Sequence, residues 1–233
     1  ALPISKDRPR ELLGDCRLHA IGHAGARHAA EGLHAERHRG LALDHVEDQL
    51  ADLHVAFAAA QIIVVIGSGD IGDRALVASL LVAQPVPKEF VALAQSKGVA
   101  VLTNAAPLGD LDGIHIDATN ESVSAVRKTV GPNRIVGAFA GSSRHFAMEA
   151  AEQGADYVAL SQSGPTLAGE PIVKWWGEVF EIPSVAFDPV EASDLDTLLP
   201  QNPDFIRPSD LMWESASEAR RIVTELMQRL KSP

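Results

Sequence analysis

The chain of 233 residues carries 20 basic and 31 acidic side chains, a formal net charge of −11, and 46% of its residues are apolar. This composition is typical of a globular protein, and its acidic balance disfavours general binding to nucleic acids or to anionic membrane surfaces. The single cysteine, Cys16, cannot form an internal disulfide. Residues 1–10 contain no apolar core of signal-peptide length, and no apolar run is long enough for a membrane span. These features predict a cytoplasmic protein.

Residues 1–73 form an atypical N-terminal segment by composition. Seven of the nine histidines lie between His19 and His54, among Ala, Gly and Arg residues with little apolar periodicity. Because no acidic or Cys partner converges with these histidines, a solvated segment is favoured over a metal site. Two explanations stay open for residues 19–73. The segment is either a genuine variable part of the protein or the amino-acid sequence translated from a shifted reading frame of a GC-rich gene. We expect the folded barrel domain to span 74–233.

A Gly-rich motif follows the apolar stretch at 61–66. Gly67, Gly69 and Gly72 match the pattern G-x-G-x-x-G, in which backbone N–H groups approach a pyrophosphate at the start of a helix. That pattern also needs a long following helix and an acidic residue at the next strand end, whereas two prolines closely follow 74–83. A Gly-rich turn is therefore favoured, with an NAD-binding oxidoreductase kept as an alternative function.

From residue 76 onward, stretches typical of strands and helices alternate. Strands are predicted over 76–84, 99–104, 113–117, 134–140, 156–161, 183–187 and 204–206. Helices are predicted over 88–97, 121–129, 144–153, 172–180, 194–199 and 215–231. This alternation implies parallel strands, either in an open doubly wound sheet or in a barrel. The length favours an α/β (β/α)8 TIM barrel, incomplete or irregular in its first two units.

Four segments of the chain follow one another in the order seen in one enzyme family. They are 98–104 (GVAVLTN), 112–116 (DGIHI), 131–137 (GPNRIVG) and 154–161 (GADYVALS), with GPT at 164–166. This succession covers roughly half of the chain and resembles the thiamine-phosphate synthase family, including its TenI-type relatives. The resemblance implies a (β/α)8 barrel that joins a hydroxymethylpyrimidine diphosphate to a thiazole phosphate and releases pyrophosphate with Mg²⁺.

The resemblance also implies four substrate-binding residues. Gln84 stands at the family's strand-end Gln, and Asn104 matches an Asn that contacts the substrate. Thr166 matches the Thr of a loop that holds phosphate oxygens, and Ser209 lies where the family has a Ser near phosphate. Taken without the resemblance, Asn104 and Ser209 are equally typical of turns and caps. The expected ligands are small phosphorylated heterocycles.

Metal binding and phosphate binding are where the chain departs from the family. Mg²⁺ prefers carboxylate oxygens, but one family Asp is Ala105 here and another aligns with Asn120. Asp117 is a substitute, so Asp117 and Asn120 are the candidate metal ligands. A pair of family glycines is replaced by Asp188 and Pro189, a carboxylate that repels phosphate and a residue without an N–H group.

Two further changes concern the same site, and two further expectations concern the core. The family's Lys after the P-T pair is replaced within 167–169, and a family Ser is Phe139. These changes leave two functions open, a weak transferase or a non-catalytic ligand-binding barrel of the same family. We expect His115 to be a packed, hydrogen-bonded core residue. Of Trp175 and Trp176, one is expected to pack on the barrel and the other to stay partly exposed.

Overall fold

The computed structural model describes residues 62–67, 76–164 and 169–231. Within them, eight strands close into a barrel in chain order, which confirms the predicted fold class. The strands are β1 (Ile62–Gly67), β2 (Leu76–Val82), β3 (Ala100–Thr103), β4 (Gly113–Asp117), β5 (Ile135–Gly141), β6 (Tyr157–Leu160), β7 (Ser184–Val190) and β8 (Phe205–Pro208). The helices are α1 (Lys88–Ser96), α2 (Val123–Val130), α3 (Arg144–Glu152), α4 (Ile172–Val179), α5 (Leu195–Leu198) and α6 (Ala216–Lys231).

The irregularity expected near the start of the barrel is found in β1. Strands β2 to β8 pair in parallel, but β1 pairs antiparallel with both of its neighbours. Its contact with β8 is confined to Ile66 with Ile206 and Gly67 with Phe205. The barrel is therefore closed by an antiparallel strand rather than by a β/α unit.

Two other elements differ from simple alternation. The loop at 104–112 contains no helix, although it joins the parallel strands β3 and β4. Strand β7 runs on to Val190 instead of ending at 187, and its pairing with β8 shifts between Ala186 and Val190. This irregular stretch accommodates Pro189, which cannot donate to a regular ladder.

Strand side chains alternate between two separate cores, as the two-residue period requires. One core lies between the sheet and the helices, where Leu80, Val101, Val136 and Leu160 are fully buried. The other core fills the inside of the barrel with Leu81, Leu102, Ile135, Tyr157, Ala159 and Val185, and with Ala100, Phe139, Phe187 and Phe205 packed against them. The barrel interior is thus a packed core, with its aromatic side chains on both sides of His115.

Three aspartates make the same contact at the N-terminal ends of the strands. Asp112, Asp156 and Asp204 each directly precede an even-numbered strand, β4, β6 or β8. Each accepts a hydrogen bond from a backbone N–H of the preceding odd-numbered strand, at 2.7, 2.7 and 2.9 Å. The three pairs β3–β4, β5–β6 and β7–β8 are therefore joined in the same way.

Helix α4 confirms the prediction for the two tryptophans. Trp176 is fully buried, stacks on Phe180 at 4.1 Å and donates its indole N–H to the carbonyl of Ile182 at 2.7 Å. Trp175 is only half-buried and lies under the guanidinium of Arg144 at 4.4 Å. Among the helices in the described ranges, none has the length and apolar character needed to cross a membrane.

Candidate functional site

The C-terminal ends of β2 to β8 meet at one end of the barrel, which we call the mouth. In barrels of this kind, ligands bind at this end because the loops after the strands gather there. The side-chain alternation directs Asn104, Asp117, Phe139, Phe187 and Arg207 towards the inside of the barrel at or just beyond the strand ends. Polar and charged groups therefore surround an aromatic surface at the mouth.

His115 lies directly below this surface, with the rings of Tyr157 and Phe187 on its two sides. His115 is 6% exposed, its Nδ1 is hydrogen-bonded to the hydroxyl of Tyr157 at 2.7 Å, and its ring stacks on Phe187 at 5.0 Å. Burial lowers the pKa of His115 to about 4, against the weaker opposing influence of Asp117, so the ring is neutral at pH 7. The expectation of a packed, hydrogen-bonded core histidine is confirmed.

A missing side chain at Gly137 makes room for the Tyr157 ring. A Cβ at this position would lie 2.0 Å from Cζ of Tyr157, far inside van der Waals contact. Burial raises the pKa of Tyr157, which keeps its hydroxyl protonated and available for His115. Glycine is thus required here by close packing rather than by backbone conformation.

Asp117 is held in place by the loop that follows β4. Its Oδ1 accepts hydrogen bonds from the backbone N–H and the hydroxyl of Thr119, at 2.9 and 2.7 Å. Its Oδ2 accepts one from the side-chain amide of Asn120 at 2.7 Å. The Thr119 hydroxyl contributes most to a lowered pKa of Asp117, which therefore carries a negative charge at the mouth at neutral pH.

The two candidate metal ligands, Asp117 and Asn120, are thus hydrogen-bonded to each other, with Asn120 as the donor. Asn120 turns its NH2 group to Asp117, so its amide must reverse before both side chains can ligate one ion. No cluster of three or more His, Cys, Asp or Glu residues suited to a metal ion occurs in the described part of the chain. The single carboxylate of Asp117 is sufficient for an Mg²⁺ ion that substrate phosphates mainly hold. It is not sufficient for a metal ion that is bound by protein side chains alone.

Arg207 is a mouth residue that the sequence analysis missed. Its side chain is 16% exposed, its guanidinium lies 5.2 Å from the ring centre of Phe187, and Nη1 donates to the Phe187 carbonyl at 3.3 Å. Its Nη2 donates to both carboxylate oxygens of Asp210, at 2.7 and 2.8 Å. A basic residue two positions after an inward-facing Phe205 was the signal in the sequence.

Asp188 contacts the loop after β6 rather than pointing into open solvent. A single oxygen, Oδ2, accepts hydrogen bonds from the backbone N–H of Gln162 at 2.7 Å and of Ser163 at 3.0 Å. The same oxygen accepts a third hydrogen bond, from the hydroxyl of Ser163, at 2.9 Å. The acidic residue singled out in the sequence therefore has three specific donors at the mouth.

The four predicted substrate-binding residues occupy different kinds of position. Gln84 and Asn104 are exposed, just after β2 and β3. Ser209 follows β8, is 7% exposed, and accepts a hydrogen bond from the N–H of Leu211 at 3.4 Å as a helix cap. Thr166 lies outside the described residues.

The Gly-rich motif does not have the surroundings of a dinucleotide site. Gly67 ends β1, and residues 68–75 lie outside the described part of the chain. The next described element is β2, which runs antiparallel to β1, where a dinucleotide fold has a helix followed by a parallel strand. This geometry overturns the NAD-binding alternative.

The comparison with known families agrees with the fold. A family model described as thiamine monophosphate synthase matches residues 84–206, more than half of the chain. The chain belongs to the thiamine monophosphate synthase family. Thiamine-phosphate synthase from Rhodospirillum centenum is 32% identical over 155 residues, which are 62% of this chain and 72% of that protein. The protein of the same name from Hyphomonas neptunium is 36% identical over 141 residues, 56% of this chain and 64% of its own length.

A solved structure supports the fold alone. Thiamine phosphate pyrophosphorylase from Pyrococcus furiosus superposes with a TM-score of 0.56 at 16% identity, covering 81% of this chain and 89% of that one. The match to the thiamine monophosphate synthase family spans Gln84, Asn104, Asp117, Asn120 and Asp188, and ends before Arg207 and Ser209. The last strand end therefore lies beyond the matched residues.

Proposed function

We propose that this chain is a thiamine-phosphate-synthase-like transferase, which joins a hydroxymethylpyrimidine diphosphate to a thiazole phosphate and releases pyrophosphate. The observation that carries the proposal is the placing of Asn104 and Asp117 on neighbouring strand ends at the mouth of a barrel of this family. Family membership makes the reaction type the leading candidate, and the mouth supplies polar groups that suit its substrates.

Each mouth group has a part in this proposal. The exposed amide of Asn104 binds polar atoms of the substrate, and Phe139 and Phe187 offer an apolar surface for a heterocyclic ring. Mg²⁺, which the family implies, would neutralise charge on the diphosphate and on the departing pyrophosphate. Asp117 is the carboxylate proposed to hold it, since hydrogen bonds from Thr119 keep that side chain ionised.

The remaining predicted residues have roles that rest on the resemblance. We assign Gln84 and Ser209 to substrate binding at the rim of the mouth and Thr166 to a phosphate oxygen. Asn120 would join Asp117 at the metal only after its amide reverses. The role of Ser209 requires its side chain to leave the contact described above, because Ser209 already caps a helical turn.

Product formation tests the proposal directly. The full chain is incubated at high concentration with both phosphorylated precursors and Mg²⁺, and thiamine phosphate and pyrophosphate are measured together. Asp117→Asn should lower the rate at least about tenfold if this carboxylate holds the metal, because one charged contact in a site contributes about that factor. Asp110→Asn, at an exposed carboxylate paired with Lys88, is the matched control and should leave the rate unchanged. The absence of product from the unaltered chain contradicts the transferase.

A non-catalytic ligand-binding barrel is the second candidate. It is favoured by Asp188, whose carboxylate takes up three donors of the loop after β6. It is also favoured by Ala105 and Pro189, which remove a carboxylate and an N–H group expected from the family. Calorimetric titration with pyrophosphate separates the candidates, since Mg²⁺-dependent binding of pyrophosphate rejects the second one.

A further inference from the structure

Three donors at the mouth converge on one oxygen of the chain's own carboxylate. The backbone N–H groups of Gln162 and Ser163 are consecutive, and both point at Oδ2 of Asp188 together with the Ser163 hydroxyl. Successive N–H groups aimed at one point form a concave anion-binding position, which a phosphate oxygen fits as well as a carboxylate oxygen does. The loop after β6 therefore forms an anion position, and Asp188 fills it.

The loop is also held by contacts that do not involve Asp188. The side-chain amide of Gln201 donates to Oε1 of Gln162 at 2.9 Å. Gly164 lies so close to Ser142 that a Cβ on it would fall 1.8 Å from the serine Oγ. Because these contacts fix the loop from two other elements, the N–H groups should keep their direction when Asp188 is removed.

The other strong anion-binding group of this sector is neutralised in the same manner. We call the ends of β6, β7 and β8 with their following loops the β6–β8 sector. The guanidinium of Arg207 lies in it, and Asp210 takes up both contacts of Nη2. In barrels of this class, the loops after the last two strands frequently form a phosphate site. Here, two internal carboxylates occupy the groups that could recognise one.

We propose that Asp188 is a specificity residue that occupies the anion position formed by the N–H groups of Gln162 and Ser163 and thereby excludes phosphate from that position. In the unaltered chain, a substrate phosphate therefore binds outside this position, and the diphosphate lies towards Asn104 and Asp117. The inference deepens the proposed function and rests on it only in treating the mouth as the ligand site. Its test measures binding of inorganic phosphate without turnover, so its failure and a failure of the transferase are distinguishable.

The experiment compares phosphate binding to the unaltered chain and to Asp188→Ala. Calorimetry gives the dissociation constant, and amide resonances of Gln162 and Ser163 in NMR spectra report where phosphate binds. Asp188→Ala should bind phosphate at least about tenfold more tightly, the factor expected from one charge-assisted contact. The two amide resonances should shift in this variant and stay in place in the unaltered chain.

Two further variants serve as controls. Glu152→Ala removes the same charge at the far end of α3 and should leave phosphate affinity unchanged. Ser163→Ala, added to Asp188→Ala, removes the hydroxyl donor and should lose several-fold of the gained affinity. A gain in Glu152→Ala equal to that in Asp188→Ala points to net charge alone and overturns the proposal.

Folding of the variants is checked by circular dichroism and melting temperature. If Asp188→Ala does not fold, Asp188→Asn replaces it, because its amide oxygen can keep the hydrogen bonds without the charge. Asp188→Asn should then bind phosphate several-fold more tightly than the unaltered chain. A folded variant with unchanged phosphate affinity refutes the proposal, and so does phosphate binding to the unaltered chain that shifts the amides of Gln162 and Ser163.

Discussion

Replacing Gly137 with alanine tests the packing of the barrel interior at one point. A Cβ at this position would lie 2.0 Å from Cζ of Tyr157 and 2.3 Å from its hydroxyl oxygen. The ring is 7% exposed and its hydroxyl is bonded to His115 at 2.7 Å. It therefore cannot turn aside without losing that hydrogen bond and displacing its neighbours.

The magnitude follows from two losses. Overpacking a core costs about 1–3 kcal/mol, and a buried group left without its partner costs about 1–3 kcal/mol more. We expect Gly137→Ala to lower the free energy of unfolding by about 3–4 kcal/mol. Tyr157→Leu should cost about 2–3 kcal/mol by itself, because it leaves a cavity. Leucine is too short to carry atoms at Cζ and the hydroxyl, so the double variant should lose at least about 1.5 kcal/mol less than the sum.

Urea unfolding followed by circular dichroism measures all four proteins of this cycle. Val136→Ala is the matched control, because Val136 is the neighbour of Gly137 on β5 but belongs to the core on the helix side. Combined with Tyr157→Leu, it should give additive losses within about 0.5 kcal/mol. Fully additive losses for Gly137→Ala and Tyr157→Leu would refute the conflict between the alanine methyl and the ring.

Two further predictions concern pH and the N-terminal strand ends. Burial lowers the pKa of His115 from 6.5 to about 4, so the unfolded chain binds this proton first as the pH falls. Between pH 6.5 and 4, the free energy of unfolding should fall by about 3 kcal/mol through this group, and His115→Gln should show a shallower pH dependence in urea unfolding. Equal slopes contradict the assignment. Asp204→Ala leaves the N–H of the fully buried Ser184 unpaired and should cost about 1–3 kcal/mol, whereas Asp204→Asn keeps an acceptor oxygen and should cost less. Equal losses in the two variants, measured by the same method, speak against this hydrogen bond.

Much of the fold could be predicted because the period of the apolar residues changes with each element. The strand at 113–117 is found at the predicted bounds, and the helix predicted over 144–153 is found as α3, one residue shorter. The direction of β1 could not be predicted, because an apolar stretch such as 61–66 fits a parallel or an antiparallel neighbour equally well. The register shift between β7 and β8 could not be predicted either, because register depends on both strands whereas the apolar pattern describes each strand alone.

Only those residues of the candidate site that lie at strand ends could be predicted from the sequence. Asn104 could be placed at the mouth because it directly follows β3, and Asp117 because it is the last residue of β4. The two-residue alternation of strand side chains directs both towards the inside of the barrel. Arg207 was missed because its role depends on packing against Phe187 of the neighbouring strand and on pairing with Asp210, neither of which the pattern of its own strand shows. The donors around Asp188 could not be found from the sequence, since backbone N–H groups belong to every residue and only the loop's conformation aims them.

The aspartates that precede β4, β6 and β8 suggest how the barrel is divided into units. Each hydrogen bond fastens an odd strand to the even strand after it, so the repeating block is two strands rather than one. The residue before β2 is Ala75, and β1 runs in the opposite direction to β2. Three blocks thus follow one construction rule and the first pair does not, which makes a boundary between blocks the natural place to cut, permute or exchange parts of this barrel.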